Sequence, residues 1–306
     1  MTFVDPLKDF RDFFRDNVCP VDGCPFTSDV TGKMMSPERY PVIQSSCHGC
    51  KAIHLFEEIR YLLKHDTTPV QILDRVTVTG ADDSVSVDDL VRIQQVFPYV
   101  EWGILLSKSQ EGAPRFPSMK WVEKLIEAKD QLSLSGHLCG RWVRDICDGK
   151  NTLYEDRPQL KGLFDRYQLN FHSYVHKIKD RKAFAEAVQS LNAKQIILQF
   201  DEVNDHLLHL LYMQAVHAVP LFDASGGAGI IPDTWPEALD LLYCGYAGGL
   251  SVDNLGQQLK KISRVCGRDL PIWIDAETHL RSPDNKQFDL KVVGDFLSEA
   301  RPWIRG

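Results

Sequence analysis

The chain has 306 residues, 43% of them hydrophobic and 25% charged, with a formal net charge of -7 and a pI near 5.8. This is ordinary globular composition, long enough for one large domain or two unequal ones. The acidic balance lacks the footprint of a nucleic-acid binder, and no apolar run approaches the roughly 18 residues that span a bilayer. The opening "MTFVDPLKDFRDFFRD" mixes acids, bases and aromatics, unlike a secretory signal, so a soluble cytoplasmic protein with no membrane partner is expected.

Eight cysteines are present, and four of them cluster before residue 51: Cys19 and Cys24 in "CPVDGC", then Cys47 and Cys50 in "CHGC". Two close pairs separated by a loop suit a four-thiolate zinc site, in which the metal ties two turns together. The intervening segment is polar and turn-rich, so structural zinc would supply stability that a core cannot. His48 and His54 are alternative ligands, and reduced thiols or a redox pair are the competing readings. Cys139, Cys147, Cys244 and Cys266 read as reduced, small apolar fillers. After the cluster, "AIHLFEEIRYLLKH" places Ile53, Phe56, Ile59, Leu62 and Leu63 at helical spacing, as a helix that packs the module onto the main body. Residues 1–70 are thus expected to form a small metal-binding extension, and residues 71–306 the main domain. The extension is a candidate surface for a second copy or a protein partner. Nucleic acid is disfavoured there, because Asp22, Asp29, Glu38, Glu57 and Glu58 oppose its lysines and arginines.

From Arg75 onward short apolar runs alternate with amphipathic helices. Strands are expected at 75–79, 101–107, 132–138, 167–173, 194–200, 218–223, 239–246 and 271–275. Ser86 with Asp89 forms a capping-box pattern before Val87, Leu90, Ile93 and Phe97. Pro117 opens a helix carrying Trp121, Val122, Leu125 and Ile126, and Ser251 is expected to cap one carrying Val252, Leu255, Leu259 and Ile262. The third unit reads as two short helices joined by "GKNTLYEDRP", a loop and candidate lid. The last helix buries Leu290, Val293, Phe296, Leu297 and Ala300. Strand–helix alternation implies a parallel sheet, and eight such units match a closed (β/α)8 TIM barrel, with an open doubly wound sheet as the alternative.

In such a barrel the site sits at the C-terminal ends of the strands. Those ends carry a polar ring that includes Thr79, His137, Cys139, Asn170, Gln199, Asp223, Asp275, Glu277 and His279. "LFDASGGAGIIPDTW" begins as a buried strand, ends it with Asp223, follows with Gly226, Gly227 and Gly229, and is expected to start a helix. In "GYAGGLSVDNL", Gly248 and Gly249 bare the backbone beside Ser251, which suits an anion cradle or simply a strand-to-helix turn.

The order and content of these segments resemble phosphoribosylanthranilate isomerase, of the ribulose-phosphate-binding barrels. "VTVTGADDSVSVDDL" is similar to that family's opening strand and turn, and "EWGILLSKSQEGAPRF" to its second strand. "LFDASGGAG", "YAGGLSVDNLGQQL" and "WIDAETHLRSPDNKQFDLKVVGDFLSEAR" resemble the acid-bearing strand, the phosphate loop and the closing unit. The resemblance implies an isomerase-type acid/base site that binds a phosphorylated ligand, with Asp223 as general acid and Arg115 on a substrate carboxylate. It implies glycine walls and phosphate contacts from Gly226, Gly227, Gly229, Gly248, Gly249 and Ser251. The family's base is a cysteine where this chain has Thr79, whose hydroxyl cannot serve as a base near neutral pH. The original isomerase activity is therefore not expected. His137 or Cys139 is the candidate for a relocated base. Two functions remain: an enzyme acting on a phosphorylated sugar or nucleotide-like molecule, and a non-catalytic barrel that binds or sequesters such a ligand or serves as a scaffold.

Overall fold

The computed structural model describes residues 69–170, 178–200, 204–223, 229–239, 242–267 and 270–306. The cysteine module with Cys19, Cys24, Cys47 and Cys50, the helix expected after it, and Gly226 and Gly227 lie outside these described residues.

Eight strands close into a barrel in chain order, every neighbouring pair parallel. They are β1 Leu73–Thr79, β2 Val100–Leu106, β3 Leu134–Leu138, β4 Arg166–Leu169, β5 Gln195–Phe200, β6 Ala218–Phe222, β7 Cys244–Ala247 and β8 Ile272–Ala276. The return segments are α1 Val87–Val96, α2 Met119–Glu127, α3 Arg141–Cys147, α4 Leu153–Asp156, α5 Arg181–Gln189, α6 Asp205–Met213, α7 Leu255–Ile262 and α8 Leu290–Ala300. The closed barrel excludes the open-sheet alternative.

Local chemistry explains most of these boundaries. Ser86 caps α1 by accepting the Asp89 amide at 3.1 Å, while its hydroxyl donates to the Asp89 carboxylate at 2.6 Å. Asp289 caps α8 by accepting the Lys291 and Val292 amides at 3.0 and 3.1 Å. The third unit breaks into α3 and α4, but α4 falls within residues 149–158, the segment expected to be a loop. The loop expected as a lid is tied to the loop after β2, through Lys108 to both Asp156 oxygens at 2.7 Å and Arg157 to Glu111 at 2.7 Å.

Two expected helix starts are corrected. Residues 229–239, after β6, contain no helix: Pro232 and Pro236 each disfavour helical geometry in the residue before them. Trp235 from this segment instead packs edge-on against Tyr246 and donates its indole N–H to Gln258 at 3.0 Å. Ser251 does not cap α7, which begins at Leu255 with Asn254 in the cap position. The Ser251 carbonyl accepts the Asn254 and Leu255 amides at 3.2 and 3.0 Å, so a turn precedes the helix.

The strand register sorts the residues into two faces. Partners such as Thr77 and Glu101, His137 and Gln168, or Ala247 and Asp275 stand side by side and share a face. The outward face and the helices form one large apolar core, in which Trp102, Phe184, Tyr246 and Phe296 are fully or almost fully buried. The inward face is divided. Ile197, Val219, Leu221, Ala247 and Trp273 form a small apolar cluster on the β5–β8 side. Thr77, Thr79, Glu101, Ser135, His137, Arg166 and Gln168 make the β1–β4 side polar.

Low in the barrel Glu101 organises that polar side. It accepts Arg166 at 2.9 Å, Thr77 at 2.9 Å and Arg75 at 3.1 Å, and the Arg166 guanidinium lies 4.4 Å from the Trp273 ring centre. A buried charge of this kind is tolerated only when paired and hydrogen-bonded, as Glu101 is. This layer closes the barrel from below and leaves the upper end as the place for a site.

Candidate active site

A cavity of about 440 Å³ opens at the C-terminal mouth of the barrel. That is the size of a small-molecule pocket. Its floor and walls come from the upper ends of the inward face, so β-strand alternation puts Gln168, Gln199, Asp223, Ala247 and Asp275 in one enclosure.

Asp275, the inward residue near the end of β8, is the centre of the floor. Its Oδ1 accepts the Thr79 hydroxyl at 2.7 Å. Burial pushes its carboxyl up to about 8 against the pull of that hydrogen bond, and the nearby carboxyls of Glu277, Asp223 and Glu101 add to the rise. Asp275 therefore holds its proton at neutral pH. Asp223, immediately after β6, lines the same cavity and accepts Gln199 Nε2 at 3.2 Å. Glu277 stands above Asp275 at the rim and accepts Arg115 Nη1 at 2.6 Å. Burial raises the Glu277 carboxyl, and Arg115 opposes that rise.

Arg115 is held from behind. Its residue has φ 77°, in the left-handed region, and its amide donates to Asp82 Oδ2 at 2.7 Å. Asp82 also accepts the fully buried Arg281 guanidinium at 2.7 Å, and the Asp82 carboxyl is lowered, because hydrogen bonds from Ser84, the Arg115 amide and Arg281 outweigh its burial. The loops after β1, β2 and β8 are thus locked to one another at Asp82. The resemblance-based role for Arg115, a partner for a substrate carboxylate, meets a guanidinium already engaged by Glu277 and by Asn285 at 3.2 Å.

The two candidates for a relocated base differ in position and share a defect. His137 lies inside the barrel, where burial lowers its ring to about 3, so it stays neutral and weakly basic. Cys139 lines the cavity, but burial pushes its thiol up to about 12 despite the Asn170 amide donating to Sγ at 3.2 Å. Neither has the ionisation that a base working near neutral pH needs. Thr79 has a different role from that of the cysteine it replaces: it donates to Asp275.

On the opposite wall Gly248 and Gly249 line the cavity with φ 119° and 64°. A Cβ on Gly249 would lie 2.5 Å from the Ile231 amide nitrogen, so the position excludes any side chain. Gly229 also lines the cavity, whereas the Ser251 amide is directed to Asn254 Oδ1 at 3.0 Å.

No protein-family model and no curated protein sequence matches the chain. Among solved structures the chain is similar to phosphoribosyl anthranilate isomerase from Thermococcus kodakaraensis, with 14% identity and a TM-score of 0.42 over 75% of this chain and 99% of that one. It is similar to the DAHP synthase of Thermotoga maritima, with 13% identity and a TM-score of 0.47 over 75% of this chain and 68% of that one. The phosphoribosylanthranilate isomerase of Thermotoga maritima gives 13% and 0.43 over 75% and 99%. The likeness is one of fold.

Sequence reading singled out Asp223, Cys139, Arg115, Gly229, Gly248 and Gly249, and the fold brings all of them to one cavity. It placed Asp275 in the polar ring without a role of its own and passed over Gln168. The signal was available: each is a polar residue at an inward position of a strand whose neighbours are apolar, as in "IWIDA" and "RYQL". Among the described residues no group of three or more His, Cys, Asp or Glu side chains is placed to hold a metal ion, and no helix is long and apolar enough to cross a membrane.

Proposed function

We propose that the barrel is an acid/base enzyme, of isomerase or lyase type, acting on a phosphorylated sugar or nucleotide-like small molecule. The observation that carries this reading is the pair of buried carboxyl groups, Asp275 and Asp223, facing one cavity at the functional end of the barrel. Asp275 carries a proton at neutral pH and delivers it to the substrate; Asp223 takes one from the opposite side. Thr79 orients the acid through its hydroxyl. In this reading Asp275 is the acid and Asp223 the base, the reverse of the role that the resemblance implies for Asp223, and the original isomerase chemistry is not restored. Gly248 and Gly249 offer bare backbone for the phosphate. Zinc on Cys19, Cys24, Cys47 and Cys50 belongs to the same proposal as a structural group, and native mass spectrometry should find one zinc per chain.

Proton transfer next to a carbonyl exchanges a C–H for a C–D in heavy water, whatever the final product. Incubation with pentose and hexose phosphates in D2O, followed by proton NMR, should show loss of a C–H signal for one of them. Asp223→Asn and Asp275→Asn should each abolish that exchange. Exchange that persists in both variants, or none with any phosphorylated sugar, would overturn the assignment and favour a barrel that only binds its ligand.

A further inference from the structure

The ion pair between Arg115 and Glu277 plays no part in the proton transfer proposed above, yet both side chains line the cavity. Arg115 Nη1 reaches the Glu277 carboxylate at 2.6 Å, and both groups are largely buried. The arginine is anchored by its amide on Asp82 at 2.7 Å and by Nε on Asn285 at 3.2 Å. The glutamate stem lies by Gly80, where an added Cβ would sit 3.5 Å from Glu277 Cγ and 3.7 Å from Arg281 Nη1. Arg281 is thus close to Glu277, but its Nη1 and Nη2 donate to the Gly80 carbonyl and to Asp82. Arg115 is the cation that meets Glu277 from inside the cavity.

The groups around Glu277 pull in opposite directions. Arg115, from the loop after β2, and Arg281, from the loop after β8, favour its charged form. Burial and the Asp223 carboxyl after β6 oppose them. The Asp275 carboxyl on β8 and the Cys139 thiol after β3 are near enough to feel the Glu277 charge, and the His279 ring contacts the Gly229 carbonyl at the rim. The net result is a carboxyl raised above the usual glutamate value, with burial the largest cause. Among the described residues Arg115 is the one arginine or lysine that lines the cavity. An anionic group entering there draws on the guanidinium that compensates Glu277, and its own charge acts on Glu277 with the same sign. Both effects favour the neutral acid. They do so whether the anion displaces the carboxylate or takes the other N–H groups of Arg115.

We propose that an anionic ligand enters this cavity together with a proton, and that Glu277 is the group that takes the proton up. The inference rests on the reading that the ligand is phosphorylated. The free protein carries Glu277 as a carboxylate on Arg115; the complex carries it as an acid beside the bound anion. Proton uptake on binding makes affinity fall as pH rises, by up to about tenfold per pH unit for one proton.

Glucose 6-sulfate carries an ester that does not titrate near neutral pH, so any proton taken up with it is bound by the protein. Calorimetric titration of the full chain with glucose 6-sulfate and glucose 6-phosphate, in two buffers of different ionisation enthalpy at about pH 7.5, counts those protons. The wild type should take up between about half a proton and one per ester bound. Glu277→Gln, which keeps an acceptor for Arg115, should take up almost none. Binding without uptake, or uptake unchanged in Glu277→Gln, refutes the inference while the phosphate reading stands. The same comparison decides when the phosphate ester alone binds. If neither ester binds, the phosphate reading falls, and the pair is tested without a ligand. Arg115→Gln then stands in for capture of the guanidinium. Carbon NMR of glutamate-labelled protein, with Glu277→Gln to assign the signal, should show the Glu277 carboxyl titrating about one pH unit or more above the wild type. A midpoint that does not rise overturns the inference.

Discussion

Replacing Asp275 by Asn removes a titrating proton from the barrel floor but keeps an acceptor for the Thr79 hydroxyl, which reaches Asp275 Oδ1 at 2.7 Å. An aspartate in an unfolded chain titrates near 3.9. In the barrel, burial first and the Glu277, Asp223 and Glu101 carboxyls after it push Asp275 up to about 8. Between those two values the folded protein keeps a proton that the unfolded chain has released, so stability falls as pH rises. The effect is absent below about pH 4 and complete above about pH 8. One proton corresponds to ~1.4 kcal/mol per pH unit, so Asp275 lowers stability at pH 7 by on the order of 4 kcal/mol relative to pH 4. Asn cannot take part in this linkage. The stability of Asp275→Asn minus that of the wild type should therefore climb from about pH 4 to about pH 8 with a slope near 1.4 kcal/mol per unit, then level off. Urea unfolding followed by tryptophan fluorescence at several pH values measures that difference directly. A difference that stays constant between about pH 5 and pH 8 would refute the reasoning, since it would mean Asp275 ionises alike in both states.

Other perturbations probe the interior and the thiol. Gly103→Ala would set a Cβ 2.1 Å from Thr79 Oγ1 and 2.9 Å from His137 Cε1, and should cost roughly 1–3 kcal/mol or more in chemical denaturation. Arg166→Met leaves Glu101 with Arg75 and Thr77 but without its buried partner at 2.9 Å, and should cost about 3 kcal/mol. Replacing Glu101 and Arg166 together by apolar residues should recover part of that loss in the same denaturation assay. Cys139, with its thiol pushed up to about 12, should react with iodoacetamide far more slowly in the folded protein than in urea at about pH 8, as read by peptide mass mapping. Comparable rates in the two states would place the thiol in a different environment.

The local signals in this chain were strong because they depend on neighbours in sequence. Ser86 and Asp89 form a cap wherever the helix lies, and the β1 and β5 runs are apolar enough to be strands in any parallel sheet. Failures came where a nearby residue outweighed the pattern. Pro232 and Pro236 disfavour helical geometry in the residues before them, where a helix was expected after β6, and the Ser251 turn delays α7 to Leu255.

The sequence by itself determined the eight strands and most of their return helices, though not the helix expected after β6 nor the start of β7, and with them the end of the barrel where Asp223, Gly248 and Gly249 lie. The reason is periodicity: alternating two-residue and 3.6-residue patterns specify elements without knowing their partners. Which face of each strand turns inward was decided only on closure, because register is a relation between strands. That choice buried Asp275 beside Thr79, with the Asp223 and Glu277 carboxyls near, and raised the titration of a carboxyl that reads as one acid among many. It also placed His137 beneath the floor and engaged Arg115 with Glu277. Burial and neighbouring charge set the chemistry of these groups, and both exist only once the barrel has closed.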